Sequence, residues 1–279
     1  MNKLRLAVSM LIFGTIGVFV NQLSYPSAFI ALFRAACGFA VLFIFALFSR
    51  KRLSIKNIFS NILFLLPSGI FLGLNWVFLF EAYRYTSISF ATLCYYTAPI
   101  FVILLTPVFF KRKSSAVKNA CAVVAVAGMV LLTGVQSFGH YYGLLFGLGA
   151  ALLYALIILL TSQTRKVTAL ETTVFELGIS ALVLLPYVLM KYDLKALTFD
   201  TKSIIILLIL GIVHTGIAYL LYFGVATKLA PQTIAVYSYI DPVFAIIISC
   251  VLSKSFLSLP EIVGAVMILG AAVSSDLKQ

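Results

Sequence analysis

The sequence predicts an all-α integral membrane protein of ten transmembrane helices, arranged as two inverted five-helix repeats with both termini in the cytoplasm. Three observations predict it: an apolar composition, apolar runs of membrane-spanning length, and one motif that occurs twice, 143 residues apart. The chain of 279 residues is 63% hydrophobic and 10% charged, whereas a water-facing globular protein carries about 25% charged residues. The lipid bilayer is therefore the expected surrounding of nearly the whole chain.

Ten apolar runs are each long enough to cross about 30 Å of hydrocarbon at about 1.5 Å per helical residue. They lie at approximately 4–20, 27–48, 59–82, 88–110, 117–134, 143–161, 169–190, 203–224, 231–252 and 259–275. The first run, which Lys3 and Arg5 precede, could also be a secretory signal peptide. It lacks an A-x-A-like cleavage site and nine more runs follow it, so an uncleaved first helix is the better interpretation.

The formal net charge of +12 follows from membrane topology rather than from nucleic-acid binding. Most of the 20 Lys and Arg residues lie in the tails and alternate loops that a ten-helix topology assigns to the cytoplasm. The loops on the opposite side contain only Arg84, Lys191, Lys195, Lys202 and Lys254. This positive-inside distribution predicts cytoplasmic termini in a multi-pass protein of the bacterial plasma (inner) membrane, and no nucleic-acid partner.

The second half of the chain repeats the first. Residues 96–101 (Tyr-Thr-Ala-Pro-Ile-Phe) correspond to residues 239–244 (Tyr-Ile-Asp-Pro-Val-Phe), and the same offset matches Gly73 with Gly216, Trp76 with Tyr219 and Phe80 with Phe223. Chance similarity between two apolar sequences is the alternative, but the aromatic and proline matches share one register. We therefore predict five-helix repeats at 1–137 and 138–279.

The orientation of the repeats has a functional consequence. Because five is an odd number, the second repeat must enter the bilayer upside down relative to the first. Inverted repeats produce alternating access, since exchanging the conformations of the two halves converts an outward-open cavity into an inward-open one. This architecture favours a transporter whose small-molecule substrate binds near the bilayer midplane.

The repeated residues resemble those of the drug/metabolite transporter (DMT) superfamily, EamA type, which has ten helices. The resemblance rests on residues 82–91 (AYRYTSISFA), 96–101 (YTAPIF), 216–224 (GIAYLLYFG), Pro242 and 264–270 (GAVMILG), and Arg34 also fits it. Arg112 and Ser255 depart from it, because the family commonly has a glutamate at these two places. The resemblance implies a secondary carrier or exporter of small metabolites such as amino acids or amines.

Two ionisable residues lie deep in the apolar runs. Asp241 lies near the middle of the ninth run, where an aspartate costs about 2.5 to 3.5 kcal/mol on translocon-derived scales. It is a proton-coupling carboxylate, a counter-ion for a cationic substrate, or a structural residue that caps backbone groups freed by Pro242. His214, on one helical face with Ala218 and Tyr222, could form a proton relay with Asp241 or be a neutral imidazole bonded to a neighbouring helix.

Aromatic side chains from both halves are candidates for lining a shared cavity. Asn75 and Trp76 lie opposite Ala218 and Tyr219 in the repeat alignment. An aromatic face can hold an apolar ligand, or a quaternary amine by cation–π attraction of about 0.5 to 2 kcal/mol. Packing between helices is the alternative for each ring. The predicted substrate-binding residues are Asn75, Trp76, Tyr96, Tyr154, His214, Tyr219, Tyr239 and Asp241.

Proline and further charged residues complete the set of candidates. Pro99 and Pro242 should interrupt the fourth and ninth helices, which would suit either gating or a packing kink. Arg34 and Glu176 lie inside the second and seventh runs, and each needs a partner; the sequence leaves open whether they pair. Glu81 and Arg84, at i and i+3, should form a local pair.

A membrane-embedded enzyme and a membrane scaffold or receptor are the competing classes. The chain has eight acidic residues and two histidines, with no H-E-x-x-H motif, P-loop or Cys-His pairing, so no enzymatic activity is expected. The four cysteines lie in apolar runs as small hydrophobes, and no metal or cofactor is expected. Transport would then be driven by an ion or substrate gradient, with proton coupling as one option and the oligomeric state left open.

Overall fold

The structure, a computed structural model, describes residues 2–20, 22–48, 53–85, 94–110, 116–133, 141–194, 197–226, 228–238, 240–253 and 259–277. These ranges contain helices and no strand, as predicted. In chain order, α1 to α14 are Asn2–Gly14, Ile16–Val20, Ser27–Phe48, Ile55–Ser60, Ile62–Tyr85, Ala98–Phe110, Ala116–Thr133, Tyr141–Thr161, Ala169–Lys191, Thr201–Gly211, Ala218–Ala226, Pro231–Tyr237, Ile240–Ser253 and Leu259–Leu277. A π-helical segment, Ile212–Ile217, joins α10 to α11.

Length and composition make this a multi-pass membrane protein. Six helical stretches in the described part of the chain are long and apolar enough to cross a bilayer, namely Asn2–Val20, Ser27–Phe48, Ile62–Ala82, Tyr141–Thr161, Ala169–Lys191 and Thr201–Val225. Their outer faces carry large apolar side chains such as Phe48 and Leu182, which lipid rather than water would solvate. The count of ten spanning helices and the cytoplasmic side of the termini remain predictions.

Short polar connections hold helix ends together on one side of the bundle. Thr168 and Glu171 form a capping box at the start of α9, which satisfies two of the free N–H groups at the helix end. Oε1 of Glu171 also accepts a hydrogen bond from the backbone N–H of Ser54, at 2.7 Å. The side chain of Asn61 bonds both to the N–H and to the carbonyl of Arg165, each at 2.9 Å. These contacts fix α4 and α5 against the connection between α8 and α9.

Contacts between the two halves of the chain occur in matching pairs. Helices α5 and α6 of the first half both pack on α8 of the second half, and their counterparts in the second half, α11 and α13, both pack on α1 of the first half. Likewise α5 contacts α9, and α3 contacts α10 and the π-helical segment. The remaining large contacts, α3 with α9 and α7 with α14, join equivalent helices of the two halves. Both halves therefore contribute to one shared helix bundle.

Several predicted runs are interrupted rather than continuous. The first breaks at Thr15, whose hydroxyl donates to the carbonyl of Ile12, a local bond that bends helices. The third breaks at Asn61, and the eighth changes to π-helical geometry at Ile212. Because the proton of Thr15 goes to Ile12, Nε2 of His214 is the donor in the 2.7 Å hydrogen bond that joins the π-helical segment to Thr15. Irregular backbone from the two halves is thus brought together inside the bundle.

Gly14 allows an unusually close contact between α1 and α13. A Cβ atom at this position would lie 2.7 Å from the carbonyl oxygen of Asp241 and 3.2 Å from the side chain of Phe244. Because backbone at this distance cannot give way as a flexible side chain can, a glycine is required for the approach. The contact holds the first turn of α13, with its aspartate, against the first helix.

Candidate functional site

A buried arginine occupies the centre of the bundle. Arg34, on α3, is 6% exposed, and its Nε donates a hydrogen bond to Oγ1 of Thr215 at 3.1 Å. Its guanidinium carbon lies 5.2 Å from the ring centroid of Trp76, within the range of a cation–π interaction. Thr215 can accept this bond because its own proton goes to the carbonyl of Leu210, five residues earlier. The π-helical geometry of this segment makes that i to i−5 bond available.

Asp241 supplies the opposite charge. It lies in the first turn of α13, where the positive end of the helix dipole favours a carboxylate. The hydroxyl of Tyr96 donates a hydrogen bond to it, and it attracts the guanidinium of Arg34 electrostatically. Among the described residues, the centre therefore contains one cation, Arg34, and one anion, Asp241, contributed by different halves of the chain.

Aromatic rings from both halves enclose this centre. Trp76 and Tyr219 meet edge to face, with centroids 6.1 Å apart, and the indole N–H donates to the Tyr219 hydroxyl. Tyr219 also packs edge to face on Phe13, at 5.1 Å, and next to Tyr222 at 6.4 Å. The repeat alignment pairs Trp76 with Tyr219, and the structure brings these two residues into contact.

A second group of polar rings lies beside the start of α13. Tyr154, on α8, stacks on Tyr95 with centroids 5.5 Å apart. Its hydroxyl lies 3.2 Å from Oγ of Ser238, and because Ser238 donates to the carbonyl of Ile234, Tyr154 is the donor. The two tyrosines bring hydroxyl groups next to Asp241, which interacts electrostatically with both.

The side chain of Asn75 joins two helices and also contacts a tyrosine of the centre. Its side-chain nitrogen donates to the backbone carbonyl of Ala150 at 2.7 Å, which fastens α5 to α8. It also hydrogen-bonds with Tyr95. Asn75 therefore orients a tyrosine of the centre rather than presenting a free amide to it.

His214 lies in the π-helical segment, next to Thr215. Its Nε2 lies 2.7 Å from Oγ1 of Thr15 and its Nδ1 lies 3.3 Å from the carbonyl of Ile209. The ring packs edge to face on Phe19, at 5.0 Å, and it interacts electrostatically with Arg34. These contacts tie the π-helical segment to the break between α1 and α2, and both the proton relay with Asp241 and the neutral imidazole stay predictions.

The two prolines lie at helix beginnings. Pro99 and Pro242 fall in the first turns of α6, which starts at Ala98, and α13, which starts at Ile240. The missing N–H costs nothing in a first turn, so each proline follows an interruption rather than bending a continuous helix. Tyr239, also predicted for the site, lies outside the described residues.

Arg34 and Glu176 have separate partners. Arg34 contacts Thr215 and Trp76 as described above, whereas Oε1 of Glu176 accepts a hydrogen bond from Thr161 at 3.2 Å. The predicted local pair of Glu81 and Arg84 is present at 3.3 Å. Lys191 joins this pair from the end of α9, so the pair is part of an interhelical cluster.

Sequence reasoning missed several residues of the centre, namely Tyr95, Thr215, Tyr222 and Ser238. Arg34 was noted as buried but was not assigned to the substrate site. One signal was available for Tyr95, since residues 95–97 form a polar stretch within an apolar run. No sequence signal predicts the contact of Thr215 with Arg34, because it depends on the π-helical segment.

An apolar groove of about 480 Å³ lies between α3 and α9, away from the charged centre. Its lining includes Phe39, Phe43, Phe175 and Leu182, all apolar. The groove provides no group that could orient a polar substrate. Among the described residues, no group of three or more His, Cys, Asp or Glu side chains could hold a metal ion.

Comparisons with known proteins bear on the whole chain. The EamA-like transporter family matches residues 4–134 and residues 141–275. An uncharacterized transporter of Bacillus subtilis (strain 168), YxxF, is 29% identical over 272 residues, which cover 95% of this chain and 86% of that protein. An uncharacterized transporter of Archaeoglobus fulgidus is 23% identical over 269 residues, with 96% and 93% covered.

Two further similarities are more distant. A protein named as a probable sugar phosphate/phosphate translocator of Arabidopsis thaliana is 24% identical over 207 residues, covering 70% of this chain and 58% of that protein. A protein of known crystal structure matches 99% of this chain and 97% of its own, with a TM-score of 0.86 and 19% identity. The structural similarity shows a shared fold over the whole length.

Proposed function

The chain belongs to the EamA-like transporter family, and we propose that it is a secondary exporter of small metabolites such as amino acids or amines. The observation that carries this proposal is the buried centre, where Arg34 and Asp241 carry opposite charges within a wall of aromatic rings. Isolated charges at the middle of a membrane protein are costly and are characteristic of substrate or ion pathways.

The chemistry of the centre supports a small substrate with a cationic group. Asp241 provides a carboxylate at a helix start, next to the hydroxyls of the surrounding tyrosines. The rings of Tyr219 and Tyr154 supply apolar and π surfaces against which an ammonium group and its carbon chain can pack. Arg34 supplies a charge that a substrate carboxylate could share with Thr215, so a zwitterionic amino acid has complementary groups for both ends.

Alternating access between two inverted repeats is the proposed mechanism. The matching contacts between the two halves, in which α5 packs on α8 and its counterpart α11 packs on α1, support this mechanism. So does the contribution of charged and aromatic groups to one centre by both halves. The helix interruptions at Thr15, at Ala98 and before Ile240 supply points where a half could bend relative to the other.

A thermal-shift screen followed by flux measurement tests the proposal. The full-length protein in detergent is screened against amino acids, polyamines, choline-like amines, carboxylates, nucleosides and, because of the Arabidopsis relative, sugar phosphates. A ligand that binds only the folded protein raises its melting temperature. Each stabilising compound is then tested for saturable exchange across proteoliposomes, with protein-free vesicles as the control.

The outcomes separate the competing classes. Saturable exchange of an amino acid or amine supports the proposal, and exchange of a sugar phosphate alone replaces the substrate class. Stabilisation without flux favours the membrane scaffold or receptor. Chemical conversion of a stabilising compound would favour a membrane-embedded enzyme.

A further inference from the structure

A second buried carboxyl group lies outside the centre just described. Glu176, in the middle of α9, has no exposed surface. Its Oε1 accepts a hydrogen bond from Thr161 of α8, at 3.2 Å. Its Oε2 is buried and has no hydrogen-bond partner. An acid with a free buried oxygen is rare in a folded interior, because most buried polar atoms find partners.

The described residues that surround Glu176 include no counter-ion. From α5, Ser68 and the backbone of Gly69 face it, and from α11 its electrostatic neighbour is the phenol of Tyr219. From α3, the nearest contacts to this part of α9 are apolar, with Phe39 against Gly178.

The basic groups of the packed helices are directed elsewhere. Arg34 of α3 is bonded to Thr215. Lys56 of α4 is exposed, and next to α4 the backbone N–H of Ser54 donates a hydrogen bond to Glu171, in the first turn of α9. An ionised carboxylate without a counter-ion in such an interior is strongly disfavoured, and binding a cation removes the penalty.

A chain of hydroxyl groups suits a carboxyl that gains and loses a proton. Oγ1 of Thr161 lies 3.2 Å from Oγ of Ser68. When Glu176 is ionised, Thr161 donates to it and Ser68 donates to Thr161. When Glu176 is protonated, each bond can reverse, since a hydroxyl is both donor and acceptor and rotates freely. The same side chains can therefore bond to Oε1 in either protonation state without a change in packing, while Oε2 has no partner.

The carboxyl group is also connected to the proposed substrate site. Thr173, one helical turn before Glu176, donates its hydroxyl proton to the carbonyl of Ala169 at 2.7 Å, and the same oxygen lies 3.4 Å from the backbone carbonyl oxygen of Tyr219. Tyr219 forms part of the aromatic wall next to Trp76. A movement of α9 relative to α5 and α8 would expose Glu176 and displace this wall together.

We propose that Glu176 is the proton-binding site that couples the transport cycle to a pH gradient, distinct from the substrate site at Asp241. This inference rests on the proposed transport function. Proton uptake breaks an O–H bond of a hydronium ion on one side of the membrane and forms an O–H bond at the carboxylate. The return step breaks that carboxyl O–H bond and forms an O–H bond on a water molecule on the other side. Asp241, which has Arg34 as its counter-charge, remains the anionic group of the protein that binds the substrate.

Infrared spectroscopy tests the site without a substrate. Full-length protein in proteoliposomes is titrated with H⁺ alone, and the carbonyl band of protonated carboxyl groups, which shifts in D2O, is recorded. The expected result is a band at neutral pH that Glu176→Gln abolishes and Asp241→Asn leaves in place. Thr161→Val, which keeps the acid but removes its donor, should move the titration midpoint of this band. A band that is absent, or unchanged in Glu176→Gln, overturns the proposal.

A transport measurement tests the coupling. For whichever compound of the screening panel the wild type exchanges, Glu176→Gln should keep exchange at equal pH on both sides. It should lose at least about tenfold in accumulation driven by an imposed pH gradient. Accumulation equal to wild type would contradict the inference. If the wild type exchanges no compound, the transport proposal fails instead, and the infrared result still decides whether Glu176 binds the proton.

Discussion

The guanidinium of Arg34 lies over the indole of Trp76, with 5.2 Å between the guanidinium carbon and the ring centroid. The two residues belong to α3 and α5, and Arg34 also reaches Thr215 in the π-helical segment. One arginine thus joins three helices of the two halves. One face of Trp76, a predicted substrate-binding residue, is thus covered by a residue of the protein, and we propose that Trp76 acts by positioning Arg34.

Replacing Trp76 with Ala should raise the apparent KM for the transported compound. Loss of a cation–π interaction of about 0.5 to 2 kcal/mol corresponds to about 2- to 30-fold in KM. Trp76→Phe, which keeps an aromatic face, should stay close to wild type, and adding Tyr219→Ala should raise KM further. The measurement is initial-rate exchange in proteoliposomes. Unchanged kinetics in the Trp76→Ala/Tyr219→Ala variant would remove both rings from the site.

Substituting Gly14 by Ala should lower both the melting temperature and the exchange rate. The new methyl group would lie 2.7 Å from the carbonyl oxygen of Asp241, so α1 must move away from α13. Gly270→Ala is the matched control, because a Cβ there meets nothing within 4 Å. Equal melting temperatures for the two variants would show that α1 does not approach Asp241 in this way.

Much of the fold follows from composition and length, whereas the interruptions do not. Six of the predicted runs coincide with described helices that are long and apolar enough to span a bilayer, because a membrane segment must satisfy its backbone hydrogen bonds internally. Breaks before Pro99 and Pro242 were predictable from proline chemistry. The breaks at Thr15 and Asn61 and the π-helical segment contain no proline. Thr15, Asn61 and Thr215 each bond to a distant part of the chain, and these contacts are not visible in the sequence pattern.

The site residues that could be predicted are those marked by a sequence pattern, and residues whose position depends on helix packing could not be predicted. Trp76 and Tyr219 could be predicted because the repeat alignment pairs them. The π-helical segment from Ile212 to Ile217 contains His214 and departs from the 3.6-residue period on which the predicted common face of His214 and Tyr222 depends. The position of Arg34 over Trp76 depends on how α3 and α5 pack, which the sequence pattern does not contain.

Asn61→Ala should lower stability by about 1 to 3 kcal/mol, the typical cost of leaving buried polar groups without partners. Asn61 is 5% exposed, and its side chain satisfies both backbone groups of Arg165. Asn61→Asp keeps an acceptor for the N–H but loses the donor, so an intermediate loss is expected. Thermal unfolding in detergent measures both. Asn61→Ala with wild-type stability would contradict the bridging role.

The start of α10 should loosen at low pH. Asp200 is the N-cap of this helix, and hydrogen bonds from Ser203 lower the pKa of its carboxyl. Because the folded-state pKa is below the unfolded one, the cap's contribution is present above the unfolded pKa and is lost as pH falls through the folded pKa.

Hydrogen exchange of the amides in residues 201–204 checks this expectation. Asp200→Ala should exchange faster than wild type at neutral pH, and the difference should shrink as the pH falls below the range in which Asp200 ionises. Asp200→Asn, which caps without titrating, should show no such convergence. A difference between Asp200→Ala and wild type that is the same at every pH would contradict a role for the carboxylate charge.

The most direct test of the central claim is counterflow in proteoliposomes that contain the wild type, Asp241→Asn or Asp200→Asn. Vesicles are loaded with an unlabelled amine or amino acid identified by thermal shift, and uptake of the labelled compound is followed at equal pH on both sides. The account predicts saturable counterflow for the wild type and Asp200→Asn, and an apparent KM at least about tenfold higher for Asp241→Asn. Saturable counterflow with the same KM in all three proteins would contradict a substrate site at the Arg34–Asp241 centre.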